Sequence, residues 1–339
     1  MINPISATPM KPTDDAVRLF RAGTRTTPKQ FAVHKKIILL SMLFSGMAAH
    51  AQDAVTVVDT TKAWKSKGVF SLLVNQSSFS NWQAGGENNI SGTIGINYDL
   101  NYKKDDWSWD NKVIASYGLV KTNNSPFEKK TDDRFEFNSQ VGKKAFGYWS
   151  YSFFLNFKTQ MTKGFIYGVD EFGKEIRDEN TNILSPGYLT FGPGMSWKKN
   201  DNLKFNLAPA TSKLTFVDNA YTSDRVVFDG TDFVAEPYID GEYFGVDRGN
   251  SMRYELGFYA SGYYKLAIMT NVTFENIISL YSNYLEDPQN IDLDYQLNVV
   301  LKINRYLSTN ISFQTIYDDN AFRGFQTREV FGLAVNFNF

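Results

Sequence analysis

Paired carboxylates are the first residues whose spacing could do chemistry. Asp292 and Asp294 stand two apart, so they share a face in an extended segment, and Asp318 and Asp319 follow Tyr317 at the end of an alternating run. Two carboxylates can divide acid and base roles when their environments push their pKa values apart. The plainer reading is charge pairing, with Lys158, Lys198, Lys204, Arg253, Lys265, Lys302 and Arg328 as partners. Asp229-Gly230-Thr231-Asp232 and Glu286-Asp287 offer the hard oxygen ligands that calcium takes, but neither has the spacing of an EF-hand loop. They read as solvated turns. Gly85-Gly86 and Gly192-x-Gly194 open no helix, so a phosphate-cradling role fails for want of context. The only histidines are His34 and His50, and there is no cysteine. Thiol catalysis, Cys-ligated zinc and disulfide scaffolds are excluded.

Aromatics form the second set of candidates. Trp82, Tyr167, Phe172, Tyr238, Tyr243 and Phe244 fall in connecting segments, where exposed rings could hold sugars or apolar ligands. The alternative is that they pack the loops against one another or extend an interfacial girdle. Lys+Arg 35 against Asp+Glu 36 leaves no basic excess of the kind a nucleic-acid partner needs. No cofactor is implied.

The elements that position these residues alternate with period two. Ile90, Gly92, Ile94, Ile96, Tyr98, Leu100 and Tyr102 interleave with Ser91, Thr93, Gly95, Asn97, Asp99 and Asn101. Tyr151, Phe153, Leu155 and Phe157 alternate with Ser152, Asn156 and Lys158. Leu293, Tyr295, Leu297, Val299 and Leu301 alternate with Asp292, Asp294, Gln296, Asn298 and Lys302. About twelve such segments occur, at 68–78, 89–102, 107–121, 133–145, 148–161, 188–198, 202–211, 252–262, 265–283, 291–304, 307–317 and 327–339. Soluble strands usually run about 5–6 residues, whereas a tilted membrane-crossing strand needs about 9–11. Most of these segments have the longer length. An apolar outer face, a polar inner face and aromatics at the segment ends are the signature of a transmembrane barrel.

Connection lengths give an independent test. Lys103–Asp106, Phe146–Gly147, Lys199–Asp201, Tyr263–Tyr264 and Arg305–Tyr306 are tight, and the intervening connections are longer. An even-stranded outer-membrane barrel has short periplasmic turns and longer extracellular loops. The expected fold is therefore all-β: a transmembrane antiparallel up-and-down β-barrel of about twelve strands over 68–339. Fourteen is the alternative if Lys213–Phe216, Arg225–Phe228 and Asp232–Ala235 add a hairpin.

The N-terminal residues read as an address. Lys35 and Lys36 precede an apolar core, Ile37 to Met47, and Ala49-His50-Ala51 is a small-x-small cleavage signature. Residues 34–51 are expected to be a signal peptide and 52–67 a periplasmic segment. Residues 1–33 read as an N-terminal extension from an upstream start. Cleavage before Gln52 removes seven basic and two acidic residues, leaving 28 basic against 34 acidic. It also removes both histidines, so Ser-His-Asp and His-ligated metal sites are unavailable to the mature chain.

LSPGYLTFGPGMSWK from Leu184, LAPATSKLTFV from Leu207, FGVDRG from Phe244 and LYSNYLEDPQNIDLDYQLNVVLKINRYLSTNISFQTIYDD from Leu280 carry a resemblance. With the closing FGLAVNFNF, they resemble a Bacteroidetes family of unknown function regarded as outer-membrane-barrel-like. It spans about 60–339 and is strongest after Leu184. The resemblance implies location and fold and imports no active site. The alternating run ending in Phe339 also resembles the signal read by the barrel-assembly machinery.

Two functions compete on this reading. One is a pore for small polar solutes, lined by Asn97, Asp99, Asn156, Lys158, Asp292, Asp294, Asn298 and Lys302. The other is a structural or binding barrel whose outer loops contact lipopolysaccharide, glycan or a protein. An embedded hydrolase has no supporting spacing.

Overall fold

The computed structural model describes residues 63–79, 87–228, 231–238 and 241–339. The expected signal peptide, its cleavage site, Trp82 and Asp229-Gly230 lie outside the described residues. Period-two segments become strands because alternation gives each an apolar and a polar face, and only pairing on both edges satisfies the backbone in hydrocarbon.

Twelve strands close into an antiparallel barrel. They are β1 (Trp64–Ser77), β2 (Asn89–Lys104), β3 (Trp107–Thr122), β4 (Glu128–Phe146), β5 (Trp149–Thr159), β8 (Gly187–Asn200), β9 (Leu203–Phe216), β12 (Met252–Met269), β13 (Val272–Asn283), β14 (Asp292–Lys302), β15 (Leu307–Asp318) and β16 (Phe322–Asn338). Each pairs with its neighbours in the chain, and β1 pairs with β16 at the seam. The hairpins β6 (Gly164–Val169) with β7 (Glu175–Thr181) and β10 (Asp224–Phe228) with β11 (Phe233–Pro237) belong to loops, as does the one-turn helix Asn219–Thr222. The segment that suggested fourteen strands is thus β10–β11, outside the wall, and Lys213–Phe216 is the end of β9.

One expected turn moves and two loops shorten. Tyr263 and Tyr264 do not turn; β12 runs on to Met269, and Thr270–Asn271 makes the turn. Both tyrosines keep their strand alternation, with Tyr263 inward and Tyr264 outward. Strands β4 and β16 begin at Glu128 and Phe322, so the connections before them shorten to 123–127 and 319–321. The contrast in length rests on 78–88, 160–186, 217–251 and 284–291. Strands of up to 19 residues exceed a bilayer crossing, so the wall stands proud of the apolar band.

Registers set the facing. Ile94, Ile96, Tyr151, Phe153, Tyr254, Leu266, Phe331 and Leu333 are exposed on the outer face. At the tight-turn end Trp64 packs on Tyr102 and Trp109, and Trp197 and Trp149 pack on Phe205. This is a girdle of the kind that marks a membrane interface. At the seam, the Phe339 ring fills the space over Gly68, where any Cβ would collide with it.

One wall is kinked. β9 carries an extra residue between Leu207 and Ser212, opposite Phe191–Met195 of β8. A Cβ at Gly192 would lie 2.6 Å from the Ala210 carbonyl oxygen, and one at Gly194 would collide with the Leu207 carbonyl. The bulged strand fits only because both positions are glycine. This is the structural role of Gly192-x-Gly194.

Candidate functional site

The polar face of the alternation becomes a lumen whose side chains meet across the barrel. Arg134 on β4 donates through Nη1 to Gln296 Oε1 on β14 at 3.2 Å, from the diametrically opposite strand. Lys158 Nζ on β5 donates to Asp294 Oδ2 on β14 at 2.7 Å. Glu136 pairs with Arg134 and accepts from Asn138 and Asn156. Gln314 Nε2 donates to Asp294 Oδ1 at 2.9 Å, and Arg328 on β16 reaches Asp132 on β4 at 2.7 Å. This lattice ties β4 and β5 to β14, β15 and β16. Charged hydrogen-bonded pairs at these distances are the strong kind.

Phe154 and Tyr259 stack at 4.6 Å across the glycine stretch. Both lie on the lumen face, over Gly192 and the fully buried Ala208 in register. The sequence reading missed them. The available signal was Phe154, an aromatic that interrupts the polar face of β5.

Toward the loop end lies a second cluster. Lys213 Nζ contacts Asp292 at 2.9 Å, Asp318 at 3.4 Å and Glu255 at 3.6 Å, with the Tyr281 ring 5.1 Å away. Arg253 pairs with Glu255 and Glu286 and donates to the Gly245 carbonyl. The carboxylates of Asp292, Asp318 and Asp319 come within 4.8 Å of one another, a set that could hold a cation. Lys213 already sits among them, between Asp292 and Asp318.

All eight expected lumen residues take the inward register. Asp99 faces Lys112 at 3.6 Å, Asn298 donates to Glu275 and accepts from Ser312, and Lys302 is exposed at the tight-turn mouth. Asn97 is on the same face, its Oδ1 buried without a partner. The lattice leaves a cavity of about 370 Å³ on its loop side, lined by Asp132, Arg134, Lys158, Asp294 and Arg328 among others.

The two long loops knit into a cap. Val217, Tyr221, Tyr243 and Val246 form its core, with Tyr238 and Phe244 packed against them. Tyr221 donates to Glu179 at 2.7 Å, Tyr238 to the Glu179 carbonyl, and Tyr243 to the carbonyls of Asn180 and Ser185. Burial first, then the Glu179 carboxylate, push the Tyr221 hydroxyl up, and burial likewise raises Tyr243. Lys163 and Tyr221 together hold Glu179 below the ordinary carboxylate range. Of the aromatics expected to bind ligand, Tyr243 is only 4% exposed and Tyr238 and Phe244 are committed to loop packing, so their rings offer little to a partner. Tyr167 packs on Phe127 and under Lys129, while Phe172 is 85% exposed at the β6–β7 tip. A Cβ at Gly245 would approach Asn320 to 2.9 Å, so the cap reaches the β15–β16 connection.

Residues 74–165 match the family described as "Protein of unknown function (DUF3078)". The matched stretch lies ahead of Leu184, where the sequence resemblance is strongest. No curated protein matches the chain. Among solved structures, the chain is similar to the translocator domain of the autotransporter NalP from Neisseria meningitidis, at 10% identity and a TM-score of 0.37, covering 94% of this chain and 100% of that one. It is similar to the COG4313 outer membrane channel from Pseudomonas putida F1, at 6% identity and a TM-score of 0.35, covering 80% and 94%. It is also similar to the beta domain of the Bordetella autotransporter BrkA, at 7% identity and a TM-score of 0.32, covering 81% and 98%.

Proposed function

We propose that the protein resides in the outer membrane of a Gram-negative cell as a binding barrel, closed to bulk flow at mid-height. A small polar solute would occupy the chamber above the closure. The observation that carries this reading is the bridging of opposite walls by Arg134–Gln296 and Lys158–Asp294. An open polar pore, the competing reading, requires these contacts to part.

The exposed apolar outer face and the aromatic girdle support the membrane location. Tight turns then face the periplasm and the cap faces outward, toward lipopolysaccharide. Export with cleavage near Ala51/Gln52, and insertion by the barrel-assembly machinery, complete the proposed route. The cavity lining mixes Arg134, Lys158 and Arg328 with Asp132, Glu136 and Asp294, which suits a solute with polar or paired charges better than a fatty acid. Binding without covalent chemistry is the reading for a mature chain lacking His and Cys.

Planar-bilayer recording tests the closure. Folded wild-type protein is expected to be electrically silent, and a double variant Arg134→Ser/Lys158→Ser to show steady openings. Steady conductance from the wild type would overturn the closed lumen and restore the pore.

A further inference from the structure

Cations at the tight-turn end of the lumen are neutralised far less completely than those of the lattice. Lys198 on β8 and Lys204 on β9 lie directly opposite one another in register, both on the inward face. Like charges in that position repel. Lys198 reaches Asp110 only at 3.7 Å, and Lys112 reaches Asp99 only at 3.6 Å, both beyond hydrogen-bonding distance. The one close carboxylate on Lys198 is Asp201, in the β8–β9 turn and 95% exposed. Lys204 has no carboxylate partner among the described residues. Its Nζ lies 5.1 Å from the centre of the Tyr263 ring, which is anchored by the Tyr263 hydroxyl donating to Glu275 at 2.6 Å. In the lattice, by contrast, Lys158 and Arg328 each meet a carboxylate at 2.7 Å.

We infer that Lys198, Lys204 and Lys112 form a site for a small polyvalent anion bearing phosphate or carboxylate groups. The strand framework sets the two lysines directly opposite one another, and the Lys204 ammonium brings three donors that no carboxylate among the described residues meets. An anion with at least two negative oxygens relieves their repulsion and supplies the acceptors. A monovalent anion cannot neutralise both. Lys302, inward-facing nearer the mouth, adds to the positive field, whereas Lys265 stands opposite Glu275, and low-dielectric walls focus that field on an entering anion. The inference needs the barrel and its registers only, and holds whether the lumen above is closed or open.

The test is calorimetric titration of the folded barrel in a non-ionic detergent, at ionic strength fixed with sodium chloride. Inorganic phosphate and citrate are the two probes. Saturable binding of at least one is expected, and which one identifies the recognised group. Lys204→Gln and Lys198→Gln should each weaken it about tenfold, the loss of one charged hydrogen bond. Lys204→Arg should retain it, as should Lys174→Gln in the exposed β6–β7 connection. If Lys204→Gln does not fold, Lys112→Gln carries the same expectation. Absence of saturable binding by both probes, or affinities unmoved in the glutamine variants, would overturn the site.

Discussion

Lys158 of β5 and Asp294 of β14 meet at 2.7 Å although they are 136 positions apart in sequence and five strands apart around the ring. The contact exists only when the barrel is closed and every intervening register is set. Removing one member of such a pair strands the other, which costs more than removing both. Asp294→Ala is therefore expected to destabilise the folded barrel by about 2–4 kcal/mol, allowing for partial exposure. Lys158→Met/Asp294→Leu should cost clearly less. Urea unfolding in lipid vesicles measures both, and an equal loss would mean the pair is not coupled.

Facing is tested on β14. Leu297 points to lipid and Asn298 to the lumen, beside Glu275 and Ser312. Leu297→Arg places a charge near the bilayer midplane, at a cost of about 2–4 kcal/mol. Asn298→Arg gains Glu275 as a partner and should be milder. The reverse order of stabilities would invert the wall.

The kinked wall makes a steric prediction. Gly194→Val drives a side chain into the Leu207 carbonyl and Ala208, so about 1–3 kcal/mol or more should be lost. Gly92→Ala meets only the Leu73 carbonyl at 3.8 Å and should be tolerated. Equal folding yields of the two variants would remove the bulge as the reason for glycine.

Cap stability should depend on pH through Glu179. Its carboxylate is held below the ordinary value by Lys163 and then Tyr221, so it contributes stability above the unfolded glutamate pKa of about 4.3. That contribution is lost as pH falls through the depressed folded value. Hydrogen exchange in 160–186, corrected for its intrinsic pH dependence, should rise on acidification in the wild type. In Glu179→Gln the rise should be smaller, the remainder coming from Glu175, which Lys129 and then Ser125 also hold low.

Sidedness follows from placing the cap outside. A cysteine at the exposed position Asp178 should react with an impermeant maleimide on intact cells, and one at Asn200 should not. The native chain contributes no thiol background. Labelling at Asn200 alone would turn the barrel over.

Local physics made the wall legible before any coordinates. Alternation assigned the polar inward residues of β14, though it passed over Val300, which shares their face. Girdle tryptophans marked the tight-turn end. Strand ends were harder to place. Tyr263-Tyr264 looked like a break because no turn residue separates two alternating runs, yet Thr270–Asn271 supplies the turn six residues later. Partner choice was not legible at all. That charges would pair followed from a narrow polar lumen, but Arg134 finding Gln296 depends on the number of strands between them. Tyr243 illustrates the same limit, since its burial comes from the other long loop.

The lattice also constrains how the barrel can go wrong. A strand slipped by one residue turns its charges to lipid and is penalised by solvation alone. A slip of two residues keeps the polar face inward and escapes that penalty. It would, however, set Asp292 or Gln296 where Asp294 meets Lys158, and move Gln296 away from Arg134. Ion pairs between distant staves thus act as a proofreading step for register, sensitive to the error that hydrophobicity cannot detect. Assembly in high salt, where that check is screened, should accumulate closed but misregistered barrels.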